Sequence, residues 1–226
     1  MRKKSISIVF WIALAICTLF VVYGAILPKQ LEAITQNITS FIAVNFSWYY
    51  LLLVLIIFFI CVYLLFSRFA SITLGVEGEE PEFSLLSWFA MLFSAGMGIG
   101  LVFWTTAEPV SHAYKATPIH KIGTQAAIND AFQFAFFHWG IHAWAVYSIV
   151  ALVFAYFNFH KGYPGLVSAT LVPIFGEKRM RGPIGSAIDV LAVIATVTGV
   201  AATLGFGALQ INEGLHYLFK VPSHFG

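Results

Sequence analysis

The sequence predicts an all-α, polytopic membrane protein. Of its 226 residues, 60% are hydrophobic and only 10% are charged. Mean hydropathy is +0.87. The apolar residues also gather into runs long enough to cross a bilayer. A soluble domain carries about 25% charged residues, so this composition belongs with chains whose solvent is lipid. Net charge is +2, which offers no basic surface for nucleic acid, and none is expected as a partner.

A spanning helix needs about 20 apolar residues. Five candidates fall at roughly residues 7–27, 48–67, 85–111, 126–157 and 186–210. The first follows the basic start Met1-Arg2-Lys3-Lys4. A signal peptide has an apolar region of about 7–15 residues, shorter than Ser7–Leu27, so this run is read as a span. Cys17 and Cys61 lie in different apolar runs and are read as packing residues, not as a disulfide or metal motif. Lys29–Ser47 is read as a polar connection, and Arg68–Glu82, with Glu77, Glu79, Glu80 and Glu82, as a solvated loop. The third and fourth runs exceed one simple span and are expected to tilt, break or extend into the interface.

Basic residues set orientation. With the N-terminus inside, the inner segments hold Arg2, Lys3, Lys4, Arg68, Lys161, Lys178, Arg179 and Arg181; the outer ones hold Lys29, Lys115, Lys121 and Lys220. Eight against four predicts a cytoplasmic N-terminus in a multi-pass cell-membrane protein.

The third run contains Ser94-Ala95-Gly96-Met97-Gly98-Ile99-Gly100. Each glycine in a helix costs about 1 kcal/mol relative to alanine. In hydrocarbon a broken helix is tolerated only where it lines protein or a water-filled path. Such a break points to a transporter binding site, where freed carbonyls hold a small cation and freed N–H groups face a carboxylate. Tight helix packing through Gly96 and Gly100 is the alternative reading.

The fourth run carries Phe137-His138-Trp139-Gly140-Ile141-His142-Ala143-Trp144-Ala145-Val146-Tyr147. On a continuous helix at about 100° per residue, Tyr147 lies about 80° and Trp144 about 140° round from Trp139. Three rings on one broad face suit a quaternary ammonium group, which has no N–H to give a carboxylate. An interfacial aromatic belt or plain helix packing is the alternative.

Other chemistry-bearing residues are sparser. Glu108, before Pro109, and Asp189 are carboxylates near span ends, read as functional candidates or as helix-end groups. His138 and His142 are four apart, as are Glu108 and His112. That spacing can begin a metal site, yet too few other ligands accompany it, and core histidines are the preferred reading. Thr196, Gly199 and Thr203 share a helical face. Threonine oxygens suit a hard cation or bond back to helix carbonyls.

The run Gly96 to Trp104, then Glu108-Pro109, then Phe137-His138-Trp139 with His142, Trp144 and Tyr147, and later Gly205-Phe206-Gly207-Ala208-Leu209-Gln210-Ile211, resembles the betaine/choline/carnitine transporter family, most closely its bacterial glycine betaine carriers. The resemblance covers about Phe83 to Ile211. It implies a sodium-symporter fold of two leading helices and two inverted repeats. Residues 1–82 would then hold the leading helices and their loop, and 83–226 the first three helices of the first repeat, within one incomplete transmembrane domain. It implies that Trp139, Trp144 and Tyr147 belong to a trimethylammonium cage and that Gly96, Met97, Gly98, Ile99 and Gly100 line the substrate path. It also implies that carbonyls of Ser94 and Met97 help hold one sodium ion and that Thr196 matches a second sodium position. Gly100 stands where proton-coupled choline relatives tend to carry aspartate, which favours sodium coupling. Val200 stands where a second hydroxyl can help hold that second ion. No cofactor beyond the coupling sodium, no enzymatic activity and a trimeric assembly are the further implications.

Family members have about twelve spans. With five, this chain is expected to be the N-terminal part of a longer carrier for osmoprotection and not to transport by itself. Carnitine or choline as substrate, and a non-transporting membrane fragment, are the alternatives.

Overall fold

The computed structural model describes residues 7–222 apart from 76, 77, 79, 97 and 118, with the side chains of residues 95, 96 and 99 also left undescribed. Ten α-helices and no strand occur among the described residues: α1 (Ile8–Ile26), α2 (Pro28–Phe66), α3 (Leu85–Gly96), α4 (Ile99–Tyr114), α5 (Gln125–Trp139), α6 (Ile141–Ala155), α7 (Val167–Thr170), α8 (Val172–Phe175), α9 (Glu177–Met180) and α10 (Pro183–Phe219). Among the described residues, four helical stretches are long and apolar enough to span a membrane: Ile8–Ile26, Pro28–Phe66, Gln125–His160 and Pro183–Phe219. The broken pair α3–α4 accounts for the remaining predicted span.

The chain divides into two units. The first comprises Met1–Gly78 and Ile141–Thr196; the second comprises Glu79–Gly140 and Val197–Gly226.

In the first unit, Ser7 caps α1 by accepting the Val9 N–H at 3.2 Å. Pro28 then opens α2, where its missing N–H is no loss. The helix runs 39 residues, about 58 Å at 1.5 Å per residue, far more than the hydrocarbon core requires. The connection expected at Lys29–Ser47 is therefore helix. Its polar side chains bond within that helix: Thr35 Oγ1 donates to the Leu31 carbonyl at 2.9 Å, Gln36 Nε2 to Glu32 Oε1 at 3.2 Å and Asn45 Nδ2 to the Phe41 carbonyl at 2.8 Å. Hydropathy alone reads such a segment as a loop, because it reports solvent preference and not backbone conformation.

A 3₁₀ turn at Arg68–Ser71 follows α2. Glu77 and Glu79 of the expected acidic loop lie outside the described residues; Glu80 and Glu82 are exposed. Helix α6 packs along α2, with Cys61 Sγ 3.5 Å from the Ala145 carbonyl, and ends in a π-helical turn, Tyr156–His160. Both cysteines are free. The buried Asp189 of α10 accepts the Ser168 N–H at 2.9 Å and the Ser168 hydroxyl at 2.7 Å. It thereby fastens α7 to α10.

In the second unit, α4 packs against α5. Thr124 caps α5 by accepting the Ala127 N–H at 3.2 Å. Buried Asp130 draws in the preceding loop, accepting from His120 Nδ1 at 2.6 Å and His120 N–H at 3.2 Å. The second part of α10 lies against α4. Phe103 stacks on Phe206 at 4.9 Å between ring centroids, and Trp104 meets the same ring edge-on at 5.5 Å. Among the described residues, the buried ones in each unit are mostly small, such as Ala13, Ala113, Ala127, Ala131, Ala145 and Ala169. Large apolar side chains point outward along every long helix, the distribution expected where lipid is the solvent.

Candidate substrate and cation site

The glycine run breaks the helix as its composition predicts. Helix α3 ends at Gly96 and α4 begins at Ile99. Gly98, at φ −66° and ψ −171°, is extended and caps α4 without a side chain. The first in-helix bonds of α4 run from Leu101 and Val102 to the Gly98 carbonyl, at 3.1 and 3.3 Å. The N–H groups of Ile99 and Gly100 lie ahead of them, at the positive end of a 16-residue helix. A carboxylate suits that end. Met97, expected on the substrate path and as a sodium ligand, lies outside the described residues. Ser94 Oγ donates to the Met91 carbonyl at 3.2 Å. Gly100 faces Thr203 of α10, whose methyl would sit 3.9 Å from an added Cβ.

The aromatic residues are placed differently from the continuous-helix expectation. Helix α5 ends at Trp139, Gly140 is extended at φ −86° and ψ −150°, and α6 starts at Ile141. The angles reckoned from Trp139 to Trp144 and Tyr147 assumed one unbroken helix and do not hold. Within α6 the reckoning survives: the Trp144 and Tyr147 rings lie 5.9 Å apart, inclined by 40°. Trp144 lines an apolar cavity of about 910 Å³ with Phe58, Cys61, Ser148 and Leu152. The same break removes His138 and His142 from a common helix face. His142 instead lies 6.0 Å from the Phe58 ring.

Glu108 gathers the partners that sequence spacing had only half suggested. Its Oε1 accepts from His138 Nδ1 and lies 3.4 Å from His112 Nε2. Its Oε2 accepts from the Trp139 indole Nε1–H at 2.7 Å. The Glu108 side chain is 11% exposed. Ligand atoms of Glu108, His112 and His138 lie within 4.8 Å of one another, close enough for one metal ion. The carboxylate already has N–H partners on both oxygens, however, so hydrogen bonding accounts for the cluster as it stands. His112 Nδ1 is buried without a partner, and its ring lies against Phe134 at 6.0 Å. The Glu108–His112 spacing was legible. The bonds to His138 and Trp139 were not, because they depend on how α4 lies against α5.

Thr196 Oγ1 donates to the Ala192 carbonyl at 2.8 Å and Thr203 Oγ1 to the Gly199 carbonyl at 3.0 Å. Both thus follow the back-bonding alternative. A hydroxyl that has given its proton still presents lone pairs. Val200 brings no oxygen there.

A multi-pass helical membrane protein with a glycine-broken span and exposed aromatic rings has the parts of a carrier for small organic solutes. The sequence carries the match to a particular group. Residues 8–226 match the model of the BCCT family, betaine/carnitine/choline family transporters, and the chain belongs to that family, one of transporters and not enzymes. It is 55% identical to the glycine betaine transporter OpuD of Bacillus subtilis (strain 168) over 98% of this chain and 43% of that protein. It is 44% identical to a probable glycine betaine transporter of Desulfitobacterium hafniense (strain Y51), over 97% of this chain and 44% of that one. It is 43% identical to an ectoine/hydroxyectoine transporter of Virgibacillus pantothenticus, over 95% and 42%. The chain thus spans less than half the length of these curated relatives.

Proposed function

We propose that this chain supplies the substrate-cage and broken-helix part of a sodium-coupled importer of a trimethylammonium osmolyte, with glycine betaine as the substrate. The observation that carries the reading is the break between Gly96 and Ile99, in a chain 55% identical to a glycine betaine transporter. In this mechanism the α4 N-terminus receives the carboxylate of betaine. The ring faces of Trp139, Trp144 and Tyr147 receive its methylated ammonium, which can offer no hydrogen bond. Sodium is held by the carbonyls of Ser94 and Met97, with the Thr196 oxygen at a second position. Its binding favours the substrate-competent state, and the sodium gradient drives release inside. The N-terminus is cytoplasmic, the location is the cell membrane, the working assembly is a homotrimer, and the role is osmoprotection.

The relatives also include an ectoine/hydroxyectoine transporter and an osmo-dependent choline transporter, so the test must separate substrates. Uptake-deficient cells at high osmolarity receive this chain alone, or this chain joined to the part of the Bacillus subtilis relative beyond its match. Labelled glycine betaine is supplied in sodium or potassium buffer, with unlabelled betaine, choline, carnitine or ectoine as competitors. The expected result is sodium-dependent betaine uptake by the joined carrier, inhibited most strongly by unlabelled betaine. Equal uptake in potassium would overturn the coupling. Stronger competition by ectoine or choline than by betaine would overturn the substrate.

A further inference from the structure

We infer that Glu108 is a positioning residue for substrate recognition: its carboxylate fixes the ring of Trp139 and enriches the ring face that meets the ammonium. The inference rests on reading Trp139 as part of the cage. Trp139 is the last residue of α5, and Gly140 after it leaves the helix. Trp139 as a residue is 40% exposed, so its neighbours do not enclose it. What holds it is the bond from its Nε1–H to Glu108 Oε2 at 2.7 Å. Glu108 is in turn fixed through Oε1 by His138 and His112 and by its place three turns into α4.

Two physical effects follow from that bond. The first is geometric. Attraction between a cation and an aromatic ring needs the cation over the ring face within about 6 Å of its centroid. A ring free to rotate spends much of its time edge-on. The second is electronic. An anionic acceptor on the indole N–H pushes electron density into the ring, which strengthens the negative face, and in a low-dielectric setting the effect is large. Glu108 acts on the ammonium through the indole and needs no contact with the substrate.

The joined carrier tests this by kinetics. Glu108→Leu removes both the acceptor and the charge, and Glu108→Gln keeps an acceptor while removing the charge. Loss of a charged hydrogen bond predicts a KM for betaine raised about tenfold in Glu108→Leu and about threefold in Glu108→Gln, with Vmax per carrier at the surface changed much less. Trp139→Phe keeps an aromatic ring but has no N–H for Glu108 to hold. On that background Glu108→Gln is expected to raise KM no further. An additional KM increase there equal to that in the parent would overturn the positioning role, as would unchanged KM in both Glu108 variants. A pure folding role would lower surface quantity and Vmax and leave KM in place, which also overturns it; because Glu108→Gln keeps the shape of the side chain, it decides the matter if the leucine variant is absent from the surface. Unchanged KM in Trp139→Leu would overturn the cage reading itself, whereas raised KM there with silent Glu108 variants would overturn only the present inference.

Discussion

Asp189 shows how a carboxylate in an apolar helix acquires a purely local task. Both its oxygens are taken by Ser168, through the backbone N–H and the hydroxyl, and the residue is buried. Removing it leaves two buried donors on α7 without acceptors, each costing about 1–3 kcal/mol. Asp189→Ala is therefore expected to lower the melting temperature of the purified protein in detergent by several degrees. Asp189→Asn is expected to lower it less, because one amide oxygen still accepts and the hydroxyl can reverse its role. An alanine variant as stable as the parent would show that the Asp189–Ser168 pair holds nothing. The sequence placed Asp189 near a helix start but could not reveal its partner, which lies 21 residues away. Glu108 is the same case with a different outcome: the four-residue spacing to His112 was visible, whereas Trp139, 31 residues away, was not. For Thr196 the back-bond to the Ala192 carbonyl is internal to one helix, so that bond needs no knowledge of the fold.

Among the elements, the helix break between Gly96 and Ile99 is legible because alternate glycines remove helix preference where one helix ends and the next begins. The break at Gly140 is not, because a lone glycine amid Trp139, Ile141 and Trp144 resembles ordinary small-residue packing. The need for glycine there is steric and local. A Cβ at position 140 would collide with the Phe136 carbonyl oxygen, the last-turn acceptor of α5. Gly140→Ala should thus force the chain to shift just after Trp139, at a cost of about 1–3 kcal/mol typical of overpacking. The expected outcomes are a lower melting temperature in detergent and, in the joined carrier, a raised KM for betaine. A variant with parental stability and KM would show that the chain passes this point without close approach. The length of α2 was missed for a different reason. Polar side chains that bond within their own helix, such as Asn45 to the Phe41 carbonyl, leave a hydropathy trace indistinguishable from a loop.

Across the whole molecule, orientation follows from where the basic residues stand relative to the apolar helices. Charges count when they lie close to a span, and acidic partners cancel them little. The extension of α2 leaves the outer charges as counted: Lys29 is the second residue of α2, but it closely follows the end of α1 at Ile26 and so still flanks a span. The inner set keeps Lys161 just after the π-helical turn and Lys178, Arg179 and Arg181 on and beside α9. Arg181 bonds to Glu177 at 2.6 Å, but the pair is exposed and retains its cationic character toward an anionic leaflet, where each such charge contributes about 1 kcal/mol. A cytoplasmic N-terminus then places α9 inside and the connection between α4 and α5 outside. Replacing Cys17 and Cys61 with alanine gives a background for single labels at Lys178→Cys and Lys121→Cys. A membrane-impermeant maleimide is expected to modify Lys121→Cys in intact cells and Lys178→Cys only after permeabilisation. The reverse pattern would invert the orientation, and with it the side from which betaine and sodium reach the broken helix.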